Sequence, residues 1–208
     1  MKYAKLTKIF LVKNFFTKIC VQGMSHTPLL NSYVLELLPK NLQDMVIFDV
    51  GCGCGEWGFL IRTRKLGFPY IIGTDIWRPH LERLRNLKVY NELLQVKIPH
   101  IPLREKSVDI ALACELLEHL PKSDGHRLLE ELDRISTKQI IVSYPLNWPQ
   151  EEIYGNPYEK HISEWLPNEL AKYNYKVRVI DTVPLPRTLK LVDGIRSFIF
   201  RLPILNWL

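Results

Sequence analysis

The stretch VIFDVGCGCGEWGFLIRTRKL, residues 46–66, joins an apolar run to a glycine loop and then to a segment of helical character. The run VIFDV is rich in β-branched and apolar residues, as in a strand that is buried on both faces of a sheet. Gly51, Gly53 and Gly55 then alternate through the loop, where the missing Cβ atoms let the backbone turn tightly and approach a ligand. The helix that follows would present free N–H groups at its start. This stretch therefore predicts a strand, a ligand-contacting loop and a helix.

The same alternation continues along the rest of the chain. Segments with helical spacing of apolar residues separate the strand-like runs, and Ser123 or Asp124 is expected to cap the helix after residue 122. The predicted strands are 46–50, 70–75, 93–98, 108–115, 139–145 and 175–183. Strands that alternate with helices pair in parallel through right-handed crossovers. We therefore expect an α/β fold with a doubly wound, mostly parallel sheet, helices on both faces, and ligands at the carboxyl ends of the strands.

Two classes of ligand compete for the glycine loop: a dinucleotide, or a nucleoside without phosphate such as S-adenosylmethionine. The dinucleotide pattern G-x-G-x-x-G fits only from Gly53, which lies two residues after the expected end of the strand. Counted from Gly51, its third position is Glu56, whose carboxylate would repel a pyrophosphate. Asp49 places a carboxylate at the strand end, where it can receive a cationic amino group. These residues favour the nucleoside.

Further motifs follow the glycine loop in a fixed order. They are DVGCGCG at 49–55, GTD at 73–75, SVDIALACELLEHL at 107–120, IIVSYP at 140–145, NPYEKHISEW at 156–165 and NEL at 168–170. Together they resemble the class I S-adenosylmethionine-dependent methyltransferases, and within these the methyltransferase type 11 group that contains the ubiquinone and menaquinone pathway enzymes. The resemblance covers roughly residues 45–180 and implies a Rossmann-like fold and the cofactor S-adenosyl-L-methionine.

The resemblance also implies which residues bind the cofactor. They are Asp49, Gly51, Cys52, Gly53, Gly55, Asp75, Ile76, Glu115 and Leu116. Physical reasoning supports the role of Asp75 independently of the resemblance, because an acid at the end of the second strand can accept two hydrogen bonds from the ribose diol. Related enzymes often carry an Asp after the third strand for the adenine amino group, and Lys97 occupies the nearest position here. A backbone carbonyl would take that role, unless the alignment slips there.

The segment from Glu115 to His119 follows the fourth strand, where the methyl acceptor should meet the cofactor. Methyl transfer from a sulfonium mainly requires an in-line approach, and an acid or base is needed only if the acceptor loses a proton. The predicted catalytic residues are His119, His161 and Glu118. His119 follows the fourth strand and His161 the fifth, so we expect the two imidazoles to lie close together.

The same residues admit a second interpretation. Glu115, Glu118, His119 and His161 offer two carboxylates and two imidazoles, a plausible set of ligands for a divalent metal. The set resembles the metal site of small-RNA 3′-terminal 2′-O-methyltransferases, and the E-x-x-E-H part resembles ubiquinone-pathway O-methyltransferases. Alternatively, Glu115 lies beside the cofactor, and Glu118 and His119 cap the next segment. The sequence alone assigns no metal.

Basic residues concentrate at the two ends of the chain. Residues 1–25 contain five lysines and no acid, 187–208 contain four basic residues and one acid, and 26–186 contain 19 basic and 21 acidic residues. The methyltransferase-like part is therefore not basic, which disfavours nucleic acid as a partner. We predict a basic amphipathic helix at 1–22, whereas 187–208 fits a strand or a helix. The ends would dock on an anionic membrane surface or cover the pocket as a lid.

No apolar run is long enough to span a bilayer, and lysines interrupt any signal-peptide core. The four cysteines form no C-x-x-C pair, so we expect a reduced, cytoplasmic protein, with peripheral membrane contact through its termini. The loop after the fifth strand would stack on a planar acceptor or be anchored to the sheet through its aromatic residues Tyr154, Tyr158 and Trp165.

The favoured activity is methyl transfer to a small-molecule or lipid-like acceptor. The alternatives are metal-assisted RNA ribose methylation and a non-catalytic S-adenosylmethionine-binding protein.

Overall fold

A computed structural model of the chain describes residues 17–21, 28–145, 149–153 and 155–177. Within them lie seven strands and five α-helices. In chain order these are β1 (Thr17–Val21), α1 (Pro28–Leu37), β2 (Val46–Val50), α2 (Glu56–Arg64), β3 (Tyr70–Asp75), α3 (Arg78–Leu87), β4 (Glu92–Gln95), β5 (Val108–Cys114), α4 (Lys122–Ile135), β6 (Ser136–Ser143), α5 (Pro167–Ala171) and β7 (Lys176–Val177). Short 3₁₀ turns at Leu117–His119 and Pro157–Glu159 follow β5 and β6.

The strands form one sheet in the order β4-β3-β2-β5-β6-β1-β7. All of its neighbouring strands pair in parallel. The order reverses between β2 and β5, and the carboxyl ends of strands at such a reversal open a crevice for ligands. The sheet confirms the predicted fold class.

Successive residues of the central strands alternate between two buried layers. Ile47 packs in a cluster with buried residues of α1, α2 and α3. Its neighbour Phe48 packs in a second cluster with residues of α4 and α5. Because side chains alternate across a strand, these helices cover opposite faces of the sheet. Both faces of the central strands are buried, as their apolar composition predicts.

Strands β2 and β3 have the predicted bounds, whereas two details near them differ. Strand β4 covers Glu92–Gln95 rather than 93–98. Helix α4 has Pro121 as its N-cap residue, so the prediction of Ser123 or Asp124 in that role is wrong. The Pro121 carbonyl accepts hydrogen bonds from the N–H groups of Asp124 and Gly125, both at 2.9 Å, so the helix starts two residues earlier than a Ser123 cap would place it.

The prediction of a helix over 1–22 is wrong for Thr17–Val21, which form β1. This strand lies between β6 and β7 and pairs with both, with Ile19 opposite Ile141 and Lys176. Pairing on both sides satisfies its backbone N–H and C=O groups, which outweighs the helical spacing of nearby apolar residues. Residues 1–16 and 187–208, with the elements predicted there, lie outside the described residues.

Among the helices of the described residues, none has the length and apolar character needed to cross a bilayer.

Candidate functional site

The glycine loop follows β2 at the point where the strand order reverses. The Cys52 N–H donates to the Thr74 carbonyl at 2.7 Å, which fastens the loop to the end of β3. Gly53 has a φ of +50°, a left-handed conformation that favours glycine. A Cβ atom built on Gly53 would meet no heavy atom within 4 Å. The loop therefore presents bare backbone to open space.

Asp75 ends β3 beside this loop. Its Oδ2 accepts a hydrogen bond from the Gly53 N–H at 2.8 Å, and its Oδ1 accepts one from the Trp77 N–H at 2.7 Å. His80 Nδ1 lies 3.4 Å from Oδ2, and this hydrogen bond raises the pKa of His80. A carboxylate has about four lone-pair positions. The two short hydrogen bonds leave about two of these positions, so a diol that filled both would replace the longer contact with His80. Asp75 thus shapes the loop and can still accept from a diol.

Asp49 lies one residue before the end of β2 and is only 1% exposed. Its Oδ2 accepts a hydrogen bond from the Tyr90 hydroxyl at 2.6 Å. Its Oδ1 is buried and has no hydrogen-bond partner among the described residues. Burial raises the pKa of Asp49 to about 7, against the effect of the Tyr90 hydrogen bond, and the charges of Asp75 and Glu56 add to the rise. Near neutral pH, this carboxyl group is therefore poised to ionise beside a cation.

The remaining residues of the loop have packing and backbone roles. Cys52 is buried, and burial raises the pKa of its thiol far above the ordinary value, so the thiol is neutral. Gly55 precedes α2 and accepts a hydrogen bond from the Phe59 N–H at 3.0 Å. The Glu56 carboxylate accepts one from the Asn31 side chain at 2.6 Å. That bond ties the loop to α1.

Glu115 and Leu116 bring the end of β5 against the glycine loop. Glu115 has a φ of +52°, an uncommon conformation for a residue with a Cβ atom. Its Oε1 accepts a hydrogen bond from the Ser143 hydroxyl at 2.7 Å. A Cβ atom on Gly51 would lie 2.9 Å from Leu116 Cδ1, so this leucine covers the start of the loop. Ile76, the last predicted cofactor residue, follows Asp75 directly.

Glu118, His119 and His161 come together beside this crevice. The ring centroids of the two histidines are 4.7 Å apart, with the rings edge to face. Glu118 Oε1 lies 4.0 Å from His119 Nε2. One polar atom from each of the three side chains lies within 4.8 Å of the other two. The predicted approach of His119 and His161 is confirmed.

Backbone hydrogen bonds hold the His161 segment against the turn that carries Glu118. The Glu118 carbonyl accepts a hydrogen bond from the Ile162 N–H at 2.8 Å. The Trp165 indole N–H donates to the Leu117 carbonyl at 3.0 Å. These bonds hold the segment that follows His161 against the turn.

The protonation of this cluster follows from its burial. Burial lowers the pKa of His119 to about 4, and the charge of His161 lowers it further. His119 Nδ1 lies 3.2 Å from the Lys160 carbonyl, which can only accept, so we assign the proton of the neutral ring to Nδ1. Glu118 is 2% exposed, and burial followed by repulsion from Glu115 raises its pKa well above the ordinary value.

The aromatic residues of this loop divide into two roles. Trp165 is 1% exposed and packs in the core, so it plugs the loop onto the sheet. Tyr158 is 47% exposed and meets Trp77 edge to face, with ring centroids 6.1 Å apart. Stacking on an acceptor therefore stays a prediction for Tyr158. Tyr154 lies outside the described residues.

Three contributors to the site have no counterpart in the sequence-based prediction. Tyr90 reaches Asp49 across 41 residues, and no local pattern marks that contact. Ser143 ends β6 and anchors Glu115. Lys160 acts through its backbone carbonyl, which no side-chain motif can reveal.

One known protein family matches a part of the chain that includes most residues of this site. A family model described as a methyltransferase domain matches residues 48–139, the part that holds Asp49, the glycine loop, Asp75 and Glu118. The matched residues form a methyltransferase domain, and the fold is that of the class I S-adenosylmethionine-dependent methyltransferases. The cofactor of this domain is S-adenosyl-L-methionine, as predicted. Membership of the ubiquinone-like subgroup stays a prediction, and no curated protein sequence matches the chain.

Solved structures with a similar fold include an S-adenosylmethionine-dependent methyltransferase from Archaeoglobus fulgidus, at 20% identity and a TM-score of 0.53. That match covers 70% of this chain and 65% of the other. YcgJ from Bacillus subtilis matches at 17% identity and a TM-score of 0.53, over 69% and 64% of the two chains. The Haloferax volcanii Trm112 methyltransferase activator complex matches at 19% and 0.53, also over 69% and 64%. These likenesses show the fold alone, and the chain spans slightly under two thirds of each matched chain.

The residues present fit the cofactor. S-adenosylmethionine carries a sulfonium, an amino group and a ribose diol. Asp49 offers a buried oxygen without a partner among the described residues, which a cation would satisfy. Asp75 has lone pairs for the diol, and Gly53 leaves space where a side chain would intrude. The donors and acceptors thus match the parts of the cofactor.

Proposed function

We propose that this methyltransferase transfers the methyl group of S-adenosylmethionine to a small-molecule or lipid-like acceptor. The observation that carries the proposal is that several polar side chains meet where the strand order reverses, between β2 and β5. Asp75 at the end of β3, Asp49 near the end of β2, and the pair of histidines beyond β5 and β6 border the same crevice. Cofactor-binding groups and candidate acceptor-binding groups therefore meet at one edge of the sheet.

The bound cofactor supplies an electrophilic methyl carbon on a sulfonium. In the proposed mechanism, Asp75 holds the ribose diol while the bare backbone at Gly53 lets the cofactor lie against the loop. Asp49 receives the cationic part of the cofactor. Leu116 covers the start of the loop and helps to exclude water from the reaction. These residues position the donor, which is the main requirement of an in-line displacement.

His119 and His161 are proposed to position the acceptor and to take its proton when the methylated atom carries one. Their rings lie in contact distance, and the Lys160 carbonyl orients the ring of His119. Glu118, which is almost fully buried, completes the cluster. Two adjacent imidazole rings can hold an acceptor and accept its proton in one place.

The residues around the histidines support an apolar acceptor. Ile153, Tyr158 and Ile162 are 37%, 47% and 53% exposed, and all belong to the segment that carries His161. Residues 26–186 contain 19 basic and 21 acidic residues, whereas phosphate-rich RNA would call for a basic surface. These exposed apolar side chains and the balanced charge favour a small or lipid-like acceptor over RNA.

A transfer assay with labelled S-adenosylmethionine tests this function against fractionated lipids, small metabolites and RNA from cells. We expect label in the lipid or metabolite fractions with the wild-type chain and none with Asp75→Ala. Label confined to RNA would contradict the proposed acceptor class. Binding of the cofactor without transfer to any fraction would contradict the catalytic role and leave a binding protein.

We also propose that the basic ends of the chain contact an anionic membrane surface. Residues 1–25 contain five lysines, and each lysine near such a surface contributes about 1 kcal/mol. Flotation with anionic liposomes should carry the protein at low salt and release it at high salt, whereas neutral liposomes should not carry it. Protein that stays in the soluble fraction with anionic liposomes at low salt would favour the lid instead.

A further inference from the structure

Three exposed apolar side chains lie at the edge of the sheet where the strands begin, opposite the candidate site. They are Leu66, Phe68 and Leu87, which are 70%, 82% and 57% exposed. Leu66 and Phe68 lie between α2 and β3, and Leu87 is the last residue of α3. Both helices run back from the carboxyl ends of the strands, so their last residues lie near the start of β3. We call these three residues the amino-edge patch.

Arg62 of α2 joins the two segments that carry the patch. Its guanidinium donates to the Val89 carbonyl at 3.1 Å and to the Pro69 carbonyl at 2.9 Å. Pro69 follows Phe68 directly, and Val89 lies two residues after Leu87. One side chain therefore holds the turn before β3 beside the turn after α3. Exposed apolar side chains that are grouped in this way mark an interaction surface.

The charge around the patch is positive. Residues 59–70 and 83–91 contain six basic residues and no acid. Three of these basic residues are exposed, namely Arg64, Arg85 and Lys88. The helix dipole favours cations at the ends of helices, but it does not account for an exposed phenyl ring beside them. The basic surface ends at two acids, Asp44, which lines a hollow with Phe68, and Glu36, which acts on the charge of Lys65.

The start of the chain leads to the same edge of the sheet. Strand β1 begins at Thr17 and pairs in parallel with β6, so Thr17 lies where the other strands also begin. Residues 1–16 precede it and contain four lysines, three phenylalanines and no acid. Because like charges repel, this segment is a poor cover for the basic patch. Two basic and apolar elements therefore belong to one edge, and both call for an anionic partner.

We propose that the amino-edge patch docks on an anionic membrane surface, with Phe68 inserted among the lipid head groups. Apolar side chains next to basic ones bind such a surface by burying apolar area and by attraction to anionic lipids. A membrane fits the patch and residues 1–16 together, because it is extended and requires no matching shape. The proposal extends the membrane contact of the basic ends to the folded domain and does not depend on the methyl acceptor. Docking at this edge leaves the crevice at the opposite edge open to water.

Flotation of the full-length chain tests the patch with vesicles of phosphatidylcholine alone and of phosphatidylcholine mixed equally with phosphatidylserine. Wild type should bind the mixed vesicles at low salt and should not bind the neutral ones. Phe68→Ser should weaken binding to the mixed vesicles by about tenfold or more, because full burial of a phenyl side chain contributes at least that factor. The double variant Arg85→Glu with Lys88→Glu should also weaken it by about tenfold or more, since each basic group near the surface contributes to binding.

Leu166→Ser is the matched control. Leu166 is 53% exposed, but it belongs to the segment that carries His161, at the opposite edge of the sheet. This variant should bind vesicles as wild type does. Phe68 is mostly exposed, so Phe68→Ser should keep the thermal midpoint of wild type. If it does not fold, the double charge variant decides.

Several results would overturn the proposal. They are wild type that binds no anionic vesicles, patch variants that bind as tightly as wild type, and an equal loss in Leu166→Ser. Serine in place of the four lysines of residues 1–16 separates the two membrane contacts. Binding lost in that variant alone overturns the patch, whereas binding lost in the patch variants alone overturns the contact through the first residues. Sedimentation tests for a second copy: self-association that Phe68→Ser abolishes, without vesicle binding, would assign the patch to a dimer instead.

Discussion

Replacing Asp49 with Asn removes a charge that the fold buries, so the stability of the variant should respond differently to pH. Asp49 is 1% exposed, and its Oδ1 has no hydrogen-bond partner among the described residues. Asn retains an acceptor for the Tyr90 hydroxyl, which donates to Asp49 Oδ2 at 2.6 Å. The amide stays neutral at every pH, so the variant isolates the charge of this side chain.

The size of the effect follows from the pKa of Asp49, which burial raises from 3.8 to about 7. Between these two values, the folded chain holds a proton that the unfolded chain has released. The free energy of unfolding therefore falls as the pH rises through this window and is constant above it. From pH 5 to pH 8, the wild-type chain loses about 2.7 kcal/mol through this group, at about 1.36 kcal/mol per pKa unit over two units. Asp49→Asn lacks this loss.

Urea denaturation at pH 5 and pH 8 measures the two free energies for each protein. The variant should gain about 2.7 kcal/mol relative to wild type between pH 5 and pH 8, whatever its stability at pH 5. Asp109→Asn is the control: Asp109 pairs with Lys138 at 2.8 Å and its pKa is lowered, so it is ionised at both pH values. An equal pH dependence in wild type and Asp49→Asn would refute the reasoning.

Three further predictions concern the cofactor and can be checked by calorimetry. Because Asp49 must be ionised to receive a cation, affinity for S-adenosylmethionine should fall about tenfold from pH 8 to pH 6 in wild type and stay constant in Asp49→Asn. Asp75→Ala removes two hydrogen bonds to a charged acceptor, each worth about 1.5–3 kcal/mol, so affinity should fall at least about tenfold, and unchanged affinity would place the ribose elsewhere. Gly53→Ala should still fold, with a free energy of unfolding about 1–2 kcal/mol lower because of the left-handed conformation. Its loss in the free energy of cofactor binding should be larger, because its methyl group enters the open space beside the loop.

The central part of the fold was predictable because its signals are local. Strands β2 and β3 have the predicted bounds, since each is a short apolar run that ends at a residue of the site or next to one. Strand β1 was not predictable in the same way. Its partner on one side is β6, where Thr17 lies opposite Gln139, and such a distant pairing leaves no trace in the spacing of nearby residues. Helical spacing around residue 17 therefore predicts the wrong element.

The contacts of the candidate site also differ in whether the sequence predicts them. Parallel strands end at a common edge, so the contact between His119 and His161 follows from β5 and β6 being neighbours. The orientation of the His119 ring depends on the Lys160 carbonyl, and the hydrogen bond to Asp49 comes from Tyr90. A carbonyl is common to every residue, and a tyrosine between two elements resembles any core aromatic. Sequence therefore predicts which side chains meet, and three-dimensional structure is needed to show what orients them.

Asp49 and Glu118 follow the same physical logic at two neighbouring strands. Each is almost fully buried near the carboxyl end of its strand, each has an oxygen without a partner among the described residues, and burial raises both pKa values. The apolar clusters on the two faces of the sheet stabilise the fold and offset the free-energy cost of burying such groups. A buried carboxyl group of this kind gains most from a cation, because the cation restores the ionised form and gives it a partner. At Asp49, we propose that this cation is the organic charge of the cofactor, so binding of the cofactor would give the buried oxygen a partner.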